Sequence, residues 1–135
     1  MERLFAHAAE TAGITVRVQP HFAAEHSDPD RGRWAWTYHV RIENGTDRAV
    51  QLLDRHWIIT DGTGRRTEVE GPGVVGEQPV IAPGESFDYV SGCPLPTPWG
   101  RMEGSYGMVA ADGSRFRVAI PAFDLVSPQA RERFH

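Results

Sequence analysis

The sequence predicts an all-β fold, a fibronectin-III or immunoglobulin-like antiparallel β-sandwich of about seven to eight strands. Three observations predict it. Apolar residues alternate with polar ones in several short segments, no segment holds a long helical period, and turn signals recur at short intervals. The 14 glycines and 10 prolines suit many turns and short strands. At 135 residues, 40% apolar and 24% charged, the chain has the length and composition of one globular domain.

In chain order, residues 1–13 contain Ala, Glu and one Phe before Gly13. They are expected to be a turn of helix or a weakly ordered segment. Ile14, Val16 and Val18 alternate with polar residues, the period of a half-buried strand. Asp28-Pro29-Asp30 marks a surface loop after it. The clearest strand follows, with Trp34, Trp36, Tyr38, Val40 and Ile42 on one face. Asn44-Gly45-Thr46-Asp47 ends it as a turn. Val50–Thr60 is apolar on both faces, so this strand should be central or covered outside. Asp61-Gly62-Thr63-Gly64 returns the chain through a hairpin into Arg66–Val69. Pro83-Gly84 precedes a strand with Phe87 and Tyr89 on one side. Pro94, Pro96 and Pro98 predict an extended connection rather than a ladder. Met102–Val109 is a strand weakened by Gly104 and Gly107. Asp112-Gly113 is the strongest two-residue hairpin signal, leading into Phe116, Val118 and Ile120. The domain is expected over residues 14–123, with 124–135 a tail. Strands one, two and five should form one sheet, and strands three, four, six and seven the other.

The densest glycine cluster is Gly71-Pro72-Gly73-Val74-Val75-Gly76-Glu77-Gln78-Pro79. Its Gly-x-Gly-x-x-Gly spacing is that of a dinucleotide loop, but such a loop must open a helix that faces the pyrophosphate. Pro79 and Pro83 forbid that helix, Pro72 removes a backbone N–H, and Glu77 adds negative charge. Rossmann chemistry is excluded. Two readings stay open. In one, the glycines serve a strand-connecting loop needing positive φ or close packing. In the other, Gly71, Gly73 and Gly76 form a small-anion site with Arg65 and Arg66, fit for pyrophosphate or a dinucleoside polyphosphate.

The net charge of −4 gives no electrostatic footprint for nucleic acid. The single cysteine, Cys93, excludes an internal disulfide and suits a reducing cytoplasm. Nothing in Ser91-Gly92-Cys93-Pro94 depresses a thiol pKa, so Cys93 is expected to be a small buried residue. No apolar run reaches membrane-spanning length and no signal-peptide layout is present, so no membrane insertion is expected.

Several of these motifs together resemble the ApaG family. Arg55-His56-Trp57-Ile58-Ile59-Thr60-Asp61, the glycine cluster, Tyr89-Val90-Ser91-Gly92, Leu95-Pro96-Thr97-Pro98 with Gly100-Arg101-Met102, and Ile120-Pro121-Ala122-Phe123 occur in the family's order. The match runs from about Ile14 to Phe123. The resemblance implies a fibronectin-III-like fold in a bacterial protein genetically linked to cobalt resistance and magnesium efflux, often encoded beside a diadenosine tetraphosphatase. It implies an interaction role, favoured for relatives fused into eukaryotic F-box and polymerase-interacting proteins. It carries over no catalytic residues.

The remaining chemistry is sparse. His39, Asp54 and His56 have metal-ligand side chains, but a sandwich places their strands in opposite sheets, so no metal site is expected. Ser91, Ser105 and Ser114 lack an elbow or oxyanion motif. No catalytic constellation or cofactor is expected. Trp34, Trp36 and Trp57 are core residues by pattern. Trp99, beside the proline-rich segment, either caps one end of the core or anchors a protein partner. The expectation is a non-enzymatic binding module whose protein partner is unknown.

Overall fold

The computed structural model describes residues 5–133, and within them the chain forms nine strands and one short α-helix, with two 3-10 turns, Ala24–His26 and Pro29–Arg31, between the second and third strands. In order these are β1 (His7–Thr11), β2 (Ile14–Phe22), β3 (Trp34–Asn44), β4 (Val50–Asp61) and β5 (Arg66–Pro72). Then come β6 (Val80–Ile81), β7 (Ser86–Leu95), β8 (Trp99–Ala110), β9 (Arg115–Val126) and α1 (Pro128–Arg133). One antiparallel sheet runs β1-β2-β3-β7 and the second β5-β4-β8-β9, with β6 pairing the start of β4. The sandwich is as the alternation predicted, and its strands divide between sheets as in the expected immunoglobulin or fibronectin-III-like arrangement, with β1 and β6 added.

The core lies between the sheets. Ile14, Val16 and Val18 of β2 and Val40 and Ile42 of β3 are fully covered, and they face Leu52, Trp57, Tyr106, Met108, Val118, Phe123 and Leu125 of the second sheet. Burial of this apolar surface is the main force holding the two sheets together. Tyr38, Trp57 and Phe123 meet edge-on or tilted, with ring centroids 5.4 to 6.1 Å apart.

A β-bulge explains why β4 is apolar on both faces. Leu52 pairs with Met108 but Asp54 pairs with Gly107, so Leu53 is an extra residue. The inward position therefore switches from Val50 and Leu52 to the odd-numbered Trp57. β4 is also central, between β5 and β8. β9 carries the matching irregularity: Met102 pairs with Phe123 but Gly104 with Ile120. Pro121 falls at this bulge, where a missing N–H does little harm.

Three local expectations are corrected. Residues 7–11 are a strand rather than loose chain or helix. Ala12 and Gly13 have φ of 52° and 85° and make a two-residue turn, so that Thr11 pairs with Ile14. Pro94 lies within a ladder opposite Ala35, tolerated because β7 is an edge strand. The C-terminal segment continues β9 to Val126 and then forms α1, where Ala130 N–H donates to Ser127 Oγ at 3.2 Å. Residues 1–4 of the expected N-terminal segment and 134–135 of the expected tail lie outside the described part of the chain.

Candidate binding site between the sheet edges

β5 and β7 are the edges of their sheets, and between the sheets lies a cavity of about 440 Å³. Tyr38, Arg55, Trp57, Tyr89, Cys93 and Met102 form its walls, and Val74, Val75 and Gly76 border it from the glycine loop. Period-two alternation places Arg55 on the same face of β4 as Trp57, so a guanidinium occupies a core-facing position at the open flank.

The glycine loop folds upon itself. Val74 N–H donates to Glu77 O and Glu77 N–H to Val74 O, both at 2.8 Å. Val75 and Gly76 between them have φ of 44° and 81°, the left-handed pair of a tight hairpin turn. Positive φ at β-branched Val75 is strained, while its neighbour Val74 is buried as an anchor. Gly73 must be glycine: its φ is 63°, and a Cβ there would lie 2.2 Å from Glu77 O. Gly73 N–H donates to Leu53 O at 2.8 Å, and Arg55 Nη1 donates to Pro72 O at 2.9 Å and Gly73 O at 3.0 Å. The N–H groups of Gly73, Val74 and Glu77 are thus spent within the protein, and the loop turns two carbonyls toward a cation.

The electrostatics of the cavity are simple. The hydroxyls of Tyr89 and Tyr106 are hydrogen-bonded to each other. Burial, above all, raises the pKa of Tyr38, Tyr89 and Tyr106, so these phenols stay neutral. Burial also pushes the Cys93 thiol up to about 11, opposite to what a nucleophile requires. Neutral phenols, an unionised thiol, apolar walls and the Arg55 guanidinium can seat an apolar or aromatic group bearing a hydrogen-bond acceptor. A larger groove of about 690 Å³ lies elsewhere, lined by His7, His21, Trp36 and Arg131. Trp36 Nε1 is buried without a hydrogen-bond partner among the described residues.

The structure does not bring the residues of the anion reading together. Arg66 pairs with Thr60 and Pro72 with Asp54, so Arg65 and Arg66 sit at the far end of β5 from the glycine turn. That is about 20 Å at ~3.3 Å per residue. Gly71 and Gly73 instead lie against Arg55, and Gly76 borders the same cavity; sequence reasoning missed Arg55. The available signal was its odd-numbered position beside Trp57. Trp99 opens β8 and is 41% exposed, and its indole covers the β4–β5 turn so closely that a Cβ on Gly62 would lie 2.9 Å from Nε1. One face of the indole is packed on that turn and the rest is exposed.

His39 lies apart from Asp54 and His56, which line one depression on β4. His39 belongs to the other sheet, where its Nε2 donates to Asp88 Oδ1 at 2.8 Å beside Arg41 Nε at 2.9 Å. Asp54 pairs with Arg117 at 3.1 Å. His56 instead meets Glu68 at 2.9 Å and Glu70 at 3.5 Å across the β4–β5 hairpin. Sequence reasoning did not assemble that trio. The turn at Asp61–Gly64 would have revealed it by setting His56 opposite Glu70, with Glu68 two residues along the same face.

Comparison with known proteins agrees with this architecture. The sequence model of the ApaG domain matches residues 24–110. Protein ApaG of Rhodospirillum centenum is 58% identical over 123 residues, which are 91% of this chain and 95% of that protein. Protein ApaG of a Methylobacterium species is 55% identical over 129 residues, covering 96% and 99%. The crystal structure of an ApaA protein from Bordetella pertussis superposes with a TM-score of 0.83 at 50% identity, over 86% of this chain and 94% of that one. The chain belongs to the ApaG family.

Proposed function

We propose that this chain is a non-enzymatic binding module that serves bacterial divalent-cation homeostasis, in cobalt tolerance and magnesium efflux, through a protein partner. One observation carries the reading: a half-open cavity at the flank joining two edge strands, with exposed apolar residues at its border. Val69 and Val75 line it and are 37% and 53% exposed, and Val90 of the β7 edge is 58% exposed. Such a slot seats an apolar or aromatic anchor from a partner, while unpaired edge groups of β7 receive extended chain. Trp99 extends the apolar surface at the β4–β5 turn. Among the described residues no helix is long and apolar enough to cross a membrane.

The test is complementation of a strain lacking the gene. Val75→Asp and Trp99→Ala should fold with melting temperatures near wild type yet fail to restore cobalt tolerance. Full restoration by both variants would defeat the reading.

A second reading, binding of a small anion such as pyrophosphate or a dinucleoside polyphosphate, rests on the Arg55 guanidinium at the cavity wall alone, since the N–H groups of Gly73, Val74 and Glu77 in the loop are already spent. Isothermal titration with pyrophosphate and diadenosine tetraphosphate tests it. Saturable heat that disappears in Arg55→Met supports it, and silence from the intact protein ends it. The titration also covers Arg65 and Arg66: loss of heat in Arg66→Glu alone would return the site to the β5 turn.

A further inference from the structure

Adjacent residues of a strand face opposite sides of the sheet, so His56 lies on the outer surface while Arg55 and Trp57 face the cavity. On that outer surface His56, Glu68 and Glu70 each offer one ligand atom, and these atoms lie within 4.8 Å of one another. The register fixes the trio. His56 stands directly opposite Glu70, and Glu68 is two residues further along β5. Two carboxylates at i and i+2 on one strand, with an imidazole on its neighbour, form a triangle on a single face.

The geometry points to a binding site for a divalent transition cation at His56, Glu68 and Glu70. Tetrahedral ligands at about 2.0–2.2 Å from a metal lie roughly 3.3–3.6 Å from one another. His56 Nε2 is 2.9 Å from Glu68 Oε1 and 3.5 Å from Glu70 Oε2, so small side-chain adjustments complete the triangle. A metal takes the Nε2 lone pair of the neutral imidazole, so it displaces to solvent any proton held between Nε2 and the carboxylates. Two carboxylates neutralise the dication, and water fills the positions left by three protein ligands.

The donor set selects among metals. One imidazole with carboxylates suits zinc, cobalt or nickel, whereas magnesium prefers octahedral oxygen and releases its water reluctantly. Surroundings add to the site without closing it. Ser105 of β8 stands opposite His56, with its hydroxyl accepting from Arg117 Nε at 3.0 Å. Arg117 is held by Asp54, and Arg66 lies near enough to Glu68 to act on it electrostatically. These two cations moderate the affinity. Glu70 is 72% exposed, so a metal here remains exchangeable.

Titration of the untagged protein with cobalt(II), followed by the visible ligand-field absorption of the ion and by competition with zinc, tests the site. One equivalent should saturate the signal, zinc should abolish it, and a large excess of magnesium should leave it unchanged. Glu68→Gln and Glu70→Gln preserve size on an exposed face, and each should weaken cobalt binding by about tenfold or more. His56→Ala should do the same, while His39→Ala should change nothing. The proposal is overturned by the absence of a saturable signal, by full affinity in both glutamine variants, or by loss of binding in His39→Ala. None of these outcomes depends on the cavity, which lies on the other face of β4.

Discussion

The two flanks of the sandwich are built differently. On the β1–β9 side the sheets close upon each other: Ala119 N–H donates to Thr11 Oγ1 at 3.1 Å, and the rings of His7 and Phe123 stand 6.0 Å apart. Ile14, Val16 and Val18 behind them are fully covered. On the β5–β7 side the sheets leave a cavity, and a strained turn with a single buried valine borders the gap. The comparison teaches that the core is secured from one flank. The other carries strain and exposed apolar surface at its border, at Val75 of the turn.

Four measurements can break or sharpen this contrast. The largest effect belongs to the closed flank, where Phe123→Ala should cost about 3–5 kcal/mol in urea unfolding. A cost below that of any open-flank variant would refute the division. Next, Gly73→Ala should lose about 2–3 kcal/mol, since the new Cβ meets Glu77 O and φ stays positive. A crystal structure of that variant should show the turn displaced and the closed flank unmoved. Third, Val75→Asn should stabilise the protein by about 1 kcal/mol, because asparagine tolerates the left-handed conformation that valine resists. Thermal unfolding reads this directly, and a loss of stability would show that Val75 contributes packing greater than its strain.

The last effect is read as a slope against pH rather than a single cost, and concerns Cys93 in the cavity wall. Burial raises its thiol pKa from 9.0 to about 11, so the folded state favours the protonated form. That contribution is complete below pH 9 and is lost as the pH rises from 9 through 11. Urea midpoints of wild type and Cys93→Ala compared across this window should converge as the pH climbs. Parallel curves would mean that the cavity wall opens to solvent more readily than its burial indicates.

Much of the architecture was legible because period-two alternation reports directly which residues enter a two-sided core. β2 and β3 could be traced from Ile14 and Trp34 onward, and the hairpins from Asp61-Gly62 and Asp112-Gly113. β1 was obscured because Ala12-Gly13 lacks the Asn or Asp that usually announces a left-handed turn. The bulges at Leu53 and Pro121 were equally hidden, since one inserted residue leaves composition unchanged while reversing which face is buried.

The sites divide along the same line. By itself the chain determined its class, the strands of each sheet, the separation of His39 from His56, and the need for glycine in the 71–76 loop. All of these follow from local periodicity, turn chemistry and the two-layer rule. Only the tertiary structure decided that Arg55, not Arg65 or Arg66, holds the glycine turn, and that Glu68 and Glu70 converge on His56. Those groupings depend on cross-strand register and on which edges lie side by side. Such relations arise between segments distant in sequence, where no local pattern records them.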